Sequence, residues 1–286
     1  MSMETLHKHT TNIIFDSFNI SYYSNDTLYT HSIGIGKYWE PHITNFLKIY
    51  NDNFNINNII DIGANAGYHS LYFSRFASGT VYAVEPHPDI FKLLELNIKN
   101  NNITNITPLN NAIGNNDGIV YMGELEFTRE ANLGDLHVYN NKNKYPINCV
   151  KLDSLILPSI DFIKIDVQGF ELMVLEGSID LIKTHNPVFI VEIEHIQLRH
   201  TNTQPHQIIE FFNDNNYDVY SLKYSYLSDY VCVPKNNSNF REVFGKYMIT
   251  PTDEYKKISG DIDINRQLDI KYKTHIHDLI MDGDIK

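Results

Sequence analysis

The chain alternates short apolar runs with amphipathic stretches from residue 58 onward. Seven runs are rich in β-branched or aromatic residues: "NIIDIG", "TVYAVE", "ITPLNNAIG", "FIKIDV", "PVFIVEIE", "YDVYSLKY" and "YVCVP". Stretches with helical periodicity separate them, at 68–76, 89–100, 170–183 and 205–215. Several runs are apolar on both faces, as in parallel strands that helices cover on either side. The pattern predicts an α/β sheet with right-handed crossovers.

Three segments surround or interrupt this alternation. Residues 1–57 form a predicted leader, an aromatic hairpin followed by a helix that packs on the core. The apolar positions of that helix are Trp39, Ile43, Phe46, Leu47 and Tyr50. Residues 58–235 form the predicted main domain, with a polar insertion at 121–150 that we expect to be a lid or substrate loop. Residues 236–286 form a predicted C-terminal extension.

Composition restricts the partners of the protein. The 286 residues are 42% hydrophobic, enough for a substantial core, and the net charge is −12. This acidity and the absence of a Lys/Arg cluster make a nucleic-acid partner unlikely. With neither a signal peptide nor an apolar run of membrane-spanning length, we expect a soluble, cytoplasmic protein without a membrane partner. Cys149 and Cys232 are predicted to be reduced core thiols. The oligomeric state stays open.

A glycine-rich turn, "DIGANAG", links the first strand of the alternation to a helix that begins at Tyr68. In open α/β sheets, ligands bind at the carboxyl ends of the strands. Gly63 and Gly67 would let a ligand approach the backbone closely. The second strand ends at Glu85, followed by Pro86, where an acid can accept hydrogen bonds from ribose hydroxyls. The two features together predict an adenosine ligand, although a turn with only a packing role is the alternative.

The residues of the turn favour one adenosine ligand over another. A dinucleotide-binding turn reads G-x-G-x-x-G, whereas this turn reads D-x-G-x-N-x-G. Asp61 is a poor neighbour for a pyrophosphate but a good one for ammonium and sulfonium groups. S-adenosylmethionine carries both of these charges. We therefore predict S-adenosylmethionine as the cofactor.

A second block extends the pattern, "FIKIDVQGFELMVLEGSIDLIKTHNPVFIVEIE". Together with "DIGANAGYHS", "VYAVEPHPDIFKLLELNI", "NAIGNNDG" and "VKLDSL", it closely resembles the FkbM-type S-adenosylmethionine-dependent methyltransferases. The resemblance covers residues 38–235. It implies a class I methyltransferase (Rossmann-like) sheet of about seven mostly parallel strands with helices on both faces. It also implies O-methylation of a hydroxyl on a sugar, glycan or related small molecule, which gives a carbohydrate or small-molecule partner.

The resemblance assigns roles to individual residues. The residues expected around the methionine part of the cofactor are Asp61, Gly63, Asn65, Gly67 and Tyr68. Those expected beside the ribose are Glu85 and Pro86, and those beside the adenine are Asn111 and Ala112. Asp166, at the end of the fourth strand, is expected to bind the cofactor and face the reacting centre. Gln168 stands where the family usually has Glu. If that glutamate acts in catalysis or metal binding, the role is lost here, but we expect the position only to cap the following helix.

Methyl transfer to a hydroxyl needs alignment and a proton acceptor. The candidate catalytic residues are Asp166, His195 directly after the fifth strand, and His137 in the insertion. Glu192 and Glu194 end the apolar fifth strand, and we expect only one of them to face the site. No third ligand accompanies Asp166 and these acids at a predictable spacing, so no metal is expected.

Two alternatives to a sugar methyltransferase share the predicted cofactor site. A methyltransferase for a nucleic acid or its cap would need a basic groove at the strand ends. A catalytically inactive binding protein with the same fold would tolerate the loss of Asp61. The intact set of Asp61, Gly63, Gly67, Glu85 and Asp166 favours an active enzyme.

Overall fold

A computed structural model describes residues 9–125, 132, 136–139, 145–222, 228–245 and 248–249. The strands are β1 (Thr10–Phe15), β2 (Phe18–Tyr23), β3 (Ile59–Ile62), β4 (Val81–Val84), β5 (Ile106–Leu109), β6 (Ala112–Ile113), β7 (Gly118–Met122), β8 (Val138–Tyr139), β9 (Tyr145–Val150), β10 (Phe162–Ile165), β11 (Val188–Glu192), β12 (Tyr217–Leu222), β13 (Asp229–Pro234) and β14 (Met248–Ile249). The α-helices are α1 (Thr27–His31), α2 (Pro41–Phe54), α3 (Tyr68–Phe73), α4 (Pro88–Asn100), α5 (Glu171–Glu176), α6 (Ile179–His185), α7 (His195–Leu198), α8 (Pro205–Asp214) and α9 (Phe240–Phe244). Most of the predicted C-terminal extension lies outside the described residues.

The central sheet has the order β14-β12-β13-β11-β10-β3-β4-β5. The five strands from β11 to β5 are parallel, whereas β13 runs antiparallel to both of its neighbours. Apart from the two-residue β14, this is the predicted class I (Rossmann-like) sheet of seven mostly parallel strands. The order reverses between β3 and β10, and ligands bind at the carboxyl ends of the strands on either side of such a point.

The leader is part of the hydrophobic core. The helix α2 buries the predicted apolar positions Ile43, Phe46, Leu47 and Tyr50, while Trp39 precedes the helix. The ring of Phe46 lies 6.2 Å from that of Phe162 in β10 and 4.7 Å from that of Phe244. The hairpin β1–β2 is held by Asn97 of α4, whose side chain accepts from Ser21 N and donates to Ser21 O. The leader therefore packs on the sheet and on α4.

The third predicted strand is two strands in different sheets. β5 ends at Leu109, and Ala112–Ile113 form β6 in a second sheet of order β6-β9-β7-β8. The break occurs at Asn110, whose side-chain amide donates to the carbonyls of Glu85 and Pro86. The insertion at 121–150, expected to be a loop, contributes to this second sheet through β7, β8 and β9. A local apolar pattern does not show which sheet a strand joins.

The helix predicted at 170–183 is also broken. It forms α5 and α6, separated at Gly177 and Ser178. A Cβ at Gly177 would lie 2.0 Å from the carbonyl oxygen of Gly114, so the chain turns where it touches the second sheet. Cys149 and Cys232 are free and buried, as predicted. Among the described helices, none has the length and apolarity needed to cross a bilayer.

Candidate active site

A buried lysine lies between two acids at the carboxyl ends of β3 and β10. Lys164 is directly opposite Asp61 in the strand pair, and its Nζ lies 3.7 Å from Asp61 Oδ1 and 3.2 Å from Asp166 Oδ2. The Asp61 side chain is fully buried, and its second oxygen accepts from Ser70 Oγ at 2.6 Å. Burial opposes the ionisation of Asp166, but Lys164 and Gln168 outweigh it and lower the pKa of this carboxyl. Asp166 is therefore a weak base.

Gln168 connects the acids of two strands. Its amide nitrogen donates to Asp166 Oδ1 at 2.7 Å and to Glu192 Oε2 at 2.9 Å. The expectation that this position caps the following helix is therefore wrong. Glu171, the first residue of α5, holds the turn before the helix instead, because its Oε1 accepts from the backbone N–H groups of Val167 and Gly169. A neutral amide at position 168 separates two carboxylates that would otherwise repel each other.

Of the two acids that end the fifth predicted strand, Glu192 faces the cluster. Its contact with Gln168 places it there, whereas Glu194 precedes α7. Glu192 is directly opposite Asp229, the first residue of the antiparallel β13. Burial and the nearby Asp166 and Asp229 raise the pKa of Glu192 well above its usual range. Burial therefore favours the protonated form of Glu192.

Two residues of the leader reach the same cluster. Glu40 Oε2 lies 2.9 Å from His69 Nε2 of α3, and His42 Nε2 lies 2.7 Å from Asp229 Oδ2. Burial raises the pKa of Glu40 to about 8 and lowers that of His69 to about 3, so this pair is a neutral acid on a neutral imidazole. Burial opposes the charging of His42, but Asp229 outweighs it and raises the pKa of the imidazole.

Sequence reasoning missed four members of this cluster: Glu40, His42, Lys164 and Asp229. Lys164 had a readable signal, because a lysine inside the apolar run "FIKI" must find acids when buried. Glu40 and His42 flank the proline that opens α2, where polar residues are ordinary helix-start residues. Their contacts depend on how the leader folds back over the sheet, which no local pattern specifies.

The glycine-rich turn is shaped by contacts within the chain. A Cβ at Gly63 would lie 1.7 Å from the carbonyl oxygen of Asp166, and one at Gly67 would lie 2.6 Å from Leu94 Cδ1. Both glycines, and Asn65 between them, have positive φ. In this structure, these glycines allow the end of β10 and the helix α4 to approach the turn closely. Gly63 brings the turn and Asp166 together at the point where the strand order reverses.

Glu85 fixes the conformation of the same turn. Its Oε2 accepts from Asn65 N at 2.9 Å and its Oε1 accepts from His87 N at 2.8 Å. Burial raises the pKa of Glu85 to about 7, although both amide contacts act in the opposite direction. The carboxyl keeps lone pairs for further donors. Next to it, the carbonyl of Pro86 accepts from Asn110.

Three further residues were predicted to surround the cofactor: Tyr68, Asn111 and Ala112. Tyr68 is buried and its hydroxyl accepts from the backbone N–H of Trp39, so it packs under the leader. Asn111 lies between β5 and β6, and Ala112 is buried at the start of β6, so neither ends the third strand as expected.

His195 begins α7, in the segment that follows β11, and His137 contacts the same segment. His195 Nδ1 contacts Arg199 at 3.4 Å, and the ring of His137 stacks on that of His200 at 3.6 Å. This segment abuts the turn at Gly169, where a Cβ would lie 2.1 Å from the carbonyl of Gln197. The structure brings neither histidine into a described contact with Asp166.

Comparison with known proteins shows which family the chain belongs to. A family model described as a methyltransferase FkbM domain matches residues 61–219, more than half of the chain. The chain belongs to the FkbM methyltransferase family. The resemblance seen in its motifs is confirmed. The match begins at Asp61 and ends in β12, so Glu40, His42 and Asp229 of this FkbM methyltransferase lie outside it.

Individual relatives are distant. The hexuronic acid methyltransferase AglP of Haloferax volcanii is 25% identical over 181 residues, which are 62% of this chain and 70% of that protein. The crystal structure of methyltransferase FkbM from Methylobacillus flagellatus KT aligns with a TM-score of 0.44 and 17% identity, over 63% of this chain and 44% of that chain. A putative O-methyltransferase from Klebsiella pneumoniae aligns with a TM-score of 0.44 and 12% identity, over 69% of this chain and 81% of that chain.

The charge balance of the site fits a cationic ligand. Five carboxyl groups surround one lysine and two histidines: Glu40, Asp61, Asp166, Glu192 and Asp229. Asp61 Oδ1 is buried and accepts no hydrogen bond. Among the described residues, no group of three or more His, Cys, Asp or Glu is arranged to hold a metal ion. An ammonium or sulfonium group supplies the positive charge that such a cluster favours.

Proposed function

We propose that this FkbM methyltransferase transfers the methyl group of S-adenosylmethionine to a hydroxyl of an acidic sugar. The observation that carries the proposal is the excess of buried carboxyl groups at the carboxyl ends of β3, β10 and β11. The family supports methyl transfer. The name of the hexuronic acid methyltransferase from H. volcanii supports a sugar acid as the acceptor.

We assign the part of the site that binds the cofactor to the carboxyl ends of β3 and β4. Asp61, Asn65 and the two glycines of the turn would surround the methionine part, and Glu85 would accept from the ribose hydroxyls. Pro86, Asn111 and Ala112 stay assigned to the nucleoside side, and Tyr68 supports the turn from below. When bound, the cofactor supplies a sulfonium methyl group that needs no further activation.

The acceptor half is assigned to the segment after β11. Arg199 is exposed, and among the described residues its guanidinium is paired with no carboxylate. His195 and His200 lie in the same segment, and His137 stacks on His200. A guanidinium binds a carboxylate bidentately, so Arg199 is suited to hold a uronate. This reassigns His195 and His137 from proton transfer to acceptor binding.

The residues of the chain contribute orientation and charge. Asp166, held ionised by Lys164 and Gln168, would orient the cofactor's ammonium group or an acceptor hydroxyl. Alignment of the hydroxyl opposite the sulfur contributes most of the rate enhancement, several kcal/mol by effective-molarity arguments. The leader, through Glu40, lies against the cluster and would exclude water from it.

The cofactor assignment is tested by titrating S-adenosylhomocysteine into the purified protein by calorimetry. We expect binding in the micromolar range and roughly tenfold weaker binding for Glu85→Gln, since one acceptor oxygen is lost, a difference of about 1.4 kcal/mol. Glu95 is exposed on α4, so Glu95→Gln is the matched control and should bind like the wild type. The proposal fails if the wild type shows no binding at millimolar ligand.

A further inference from the structure

The leader brings a histidine–carboxylate pair to the proposed site. His42 is the second residue of α2, and its Nε2 contacts Asp229 Oδ2 at 2.7 Å. The side chains are 15% and 5% exposed, so the pair is largely removed from water while the imidazole keeps some accessible surface. A carboxylate that fixes one ring nitrogen leaves the other to accept or give up a proton.

A continuous series of side chains links this pair to Asp166. Asp229 is directly opposite Glu192 across the β11–β13 pair, and Glu192 accepts from Gln168, which also donates to Asp166. Glu40, two residues before His42, contacts His69 of α3 from the same side. Glu40 has a left-handed backbone, φ 43°, a conformation that strains residues other than glycine. Such strain is characteristic of functional sites, and here it directs the leader into the cluster.

The other titratable groups of the cluster are less suited to accept a proton. Lys164 and Gln168 keep the pKa of Asp166 low, and burial raises the pKa of Glu192 well above its usual range, which favours its protonated form. His69, with its pKa lowered to about 3 by burial, is too weak a base. His42 is the group whose pKa is moved upward from near neutrality, mainly by Asp229. A general base works best when its pKa is close to the working pH.

We propose that His42, oriented by Asp229, is the general base that takes the proton from the acceptor hydroxyl during methyl transfer. The inference rests on the proposed function and adds a catalytic residue from outside the family match. The hydroxyl oxygen forms a bond to the methyl carbon while the carbon–sulfur bond breaks and its electron pair goes to sulfur. The hydroxyl proton goes to the free ring nitrogen of His42, and Asp229 stabilises the resulting imidazolium.

The surroundings of His42 set its proton affinity. The groups that act on His42 are Asp229 from β13, Glu40 from its own segment and His69 from α3, while Glu192, Asp166 and Lys164 lie further along the cluster. Of these, Asp229 makes the direct contact and therefore has the largest influence. An acceptor carboxylate would carry no proton and would need no base, so the inference also commits the reaction to a hydroxyl.

The first test compares His42→Gln with the wild type. We expect kcat to fall ~10²–10⁴-fold, the usual contribution of a general base, while S-adenosylhomocysteine affinity changes less than about twofold. His206 is exposed on α8, so His206→Gln is the matched control and should keep wild-type activity. An unchanged kcat in His42→Gln, with an active wild type, would overturn the inference and leave the proposed function intact.

The second test uses Asp229→Asn and does not depend on turnover alone. NMR titration of the His42 ring should show its pKa falling by ~1 unit or more when the carboxylate is replaced by an amide. The acid limb of the kcat/KM profile should move to lower pH by the same amount. The assignment is refuted if the kcat/KM profile moves while the pKa of His42 does not. It is also refuted if the kcat/KM profile does not move. A wild type that methylates no sugar hydroxyl would overturn the proposed function and this inference together.

Discussion

At the scale of single residues, the site is a set of acids that differ because of their neighbours. Asp166 is ionised because Lys164 and Gln168 donate to it, whereas Glu192, which accepts from the same amide, is held protonated by burial. Gln168 is therefore the residue that lets two carboxyl groups occupy adjacent positions. Its backbone is left-handed, φ 52°, which agrees with a position that the fold constrains strongly.

Restoring the usual family residue should destabilise this protein. Gln168→Glu loses the amide donor and places a third carboxyl between Asp166 and Glu192, at a cost of ~1–3 kcal/mol. The folded-state pKa of the new carboxyl would be raised above its unfolded value, so the loss should be larger at about pH 8 than at about pH 5. Urea denaturation of variant and wild type at both pH values measures this.

The exchange variant Gln168→Glu with Glu192→Gln is the control. It moves the amide to position 192, where it can donate to the new carboxylate at position 168, and keeps two acids rather than three, so we expect it to recover part of the lost stability. A single variant as stable as the wild type at high pH would refute this role of Gln168.

Arg199 provides a second test at the residue scale. Because a guanidinium would bind the carboxylate of a uronate, Arg199→Gln should raise the KM for a uronic acid acceptor ~10-fold or more, at little cost in kcat. The KM for a neutral sugar with the same hydroxyls should not change. Arg241 is a suitable control, because it pairs with Asp218 on β12, and Arg241→Gln should leave both KM values unchanged. Equal effects on charged and neutral acceptors would contradict the assignment.

At the scale of elements, local sequence patterns predict which strands and helices form, whereas contacts between distant strands and turns are not predictable from them. The order of strands and helices was predictable because several strands of the parallel sheet are apolar on both faces and the longer helices have one apolar face. The separation of Ala112–Ile113 into another sheet was not, because pairing is non-local. The roles of Glu40 and His42 were not predictable either, since they depend on where the leader packs.

The turn after β3 offers a test of this packing. Gly63→Ala would place a methyl group 1.7 Å from the carbonyl oxygen of Asp166 if nothing else moved. It also forces alanine to a positive φ. We expect a loss of unfolding free energy of ~2 kcal/mol or more, with weaker S-adenosylhomocysteine binding, because the turn must move. Thermal denaturation and calorimetry measure the two effects.

Gly118→Ala is the matched control for this variant. Gly118 begins β7, and a Cβ there would meet nothing within 4 Å. We expect it to be neutral or slightly stabilising, by up to about 1 kcal/mol. If Gly63→Ala were equally neutral, the close approach of β10 to the turn would not be what requires glycine.

At the scale of the whole molecule, the buried acids couple stability to pH. Burial raises the pKa of Glu40 to about 8 and those of Glu85 and Glu171 to about 7, all above their unfolded values. The folded state therefore binds more protons than the unfolded state, and stability should fall as pH rises through these values. His69 acts oppositely, but only below about pH 6.5, where the unfolded histidine is charged.

The predicted fall is on the order of 1–2 kcal/mol between about pH 7 and about pH 9. Glu40→Gln replaces the protonated acid by a neutral amide, so it should flatten this slope, while Glu95→Gln should preserve it. Urea denaturation across the pH range gives the free energy of unfolding of each protein. Stability that rises over this interval would mean that Glu40 is ionised in the folded state.

We propose that this FkbM methyltransferase moves a methyl group from S-adenosylmethionine to a sugar acid. The most direct measurement incubates the protein with cofactor labelled with carbon-13 in the methyl group and a uronic acid glycoside, and follows both products by mass spectrometry. We expect the labelled methyl group on a hydroxyl oxygen of the sugar, with an equal amount of S-adenosylhomocysteine released. A protein that binds S-adenosylhomocysteine but leaves every uronic acid and neutral sugar unlabelled would contradict it.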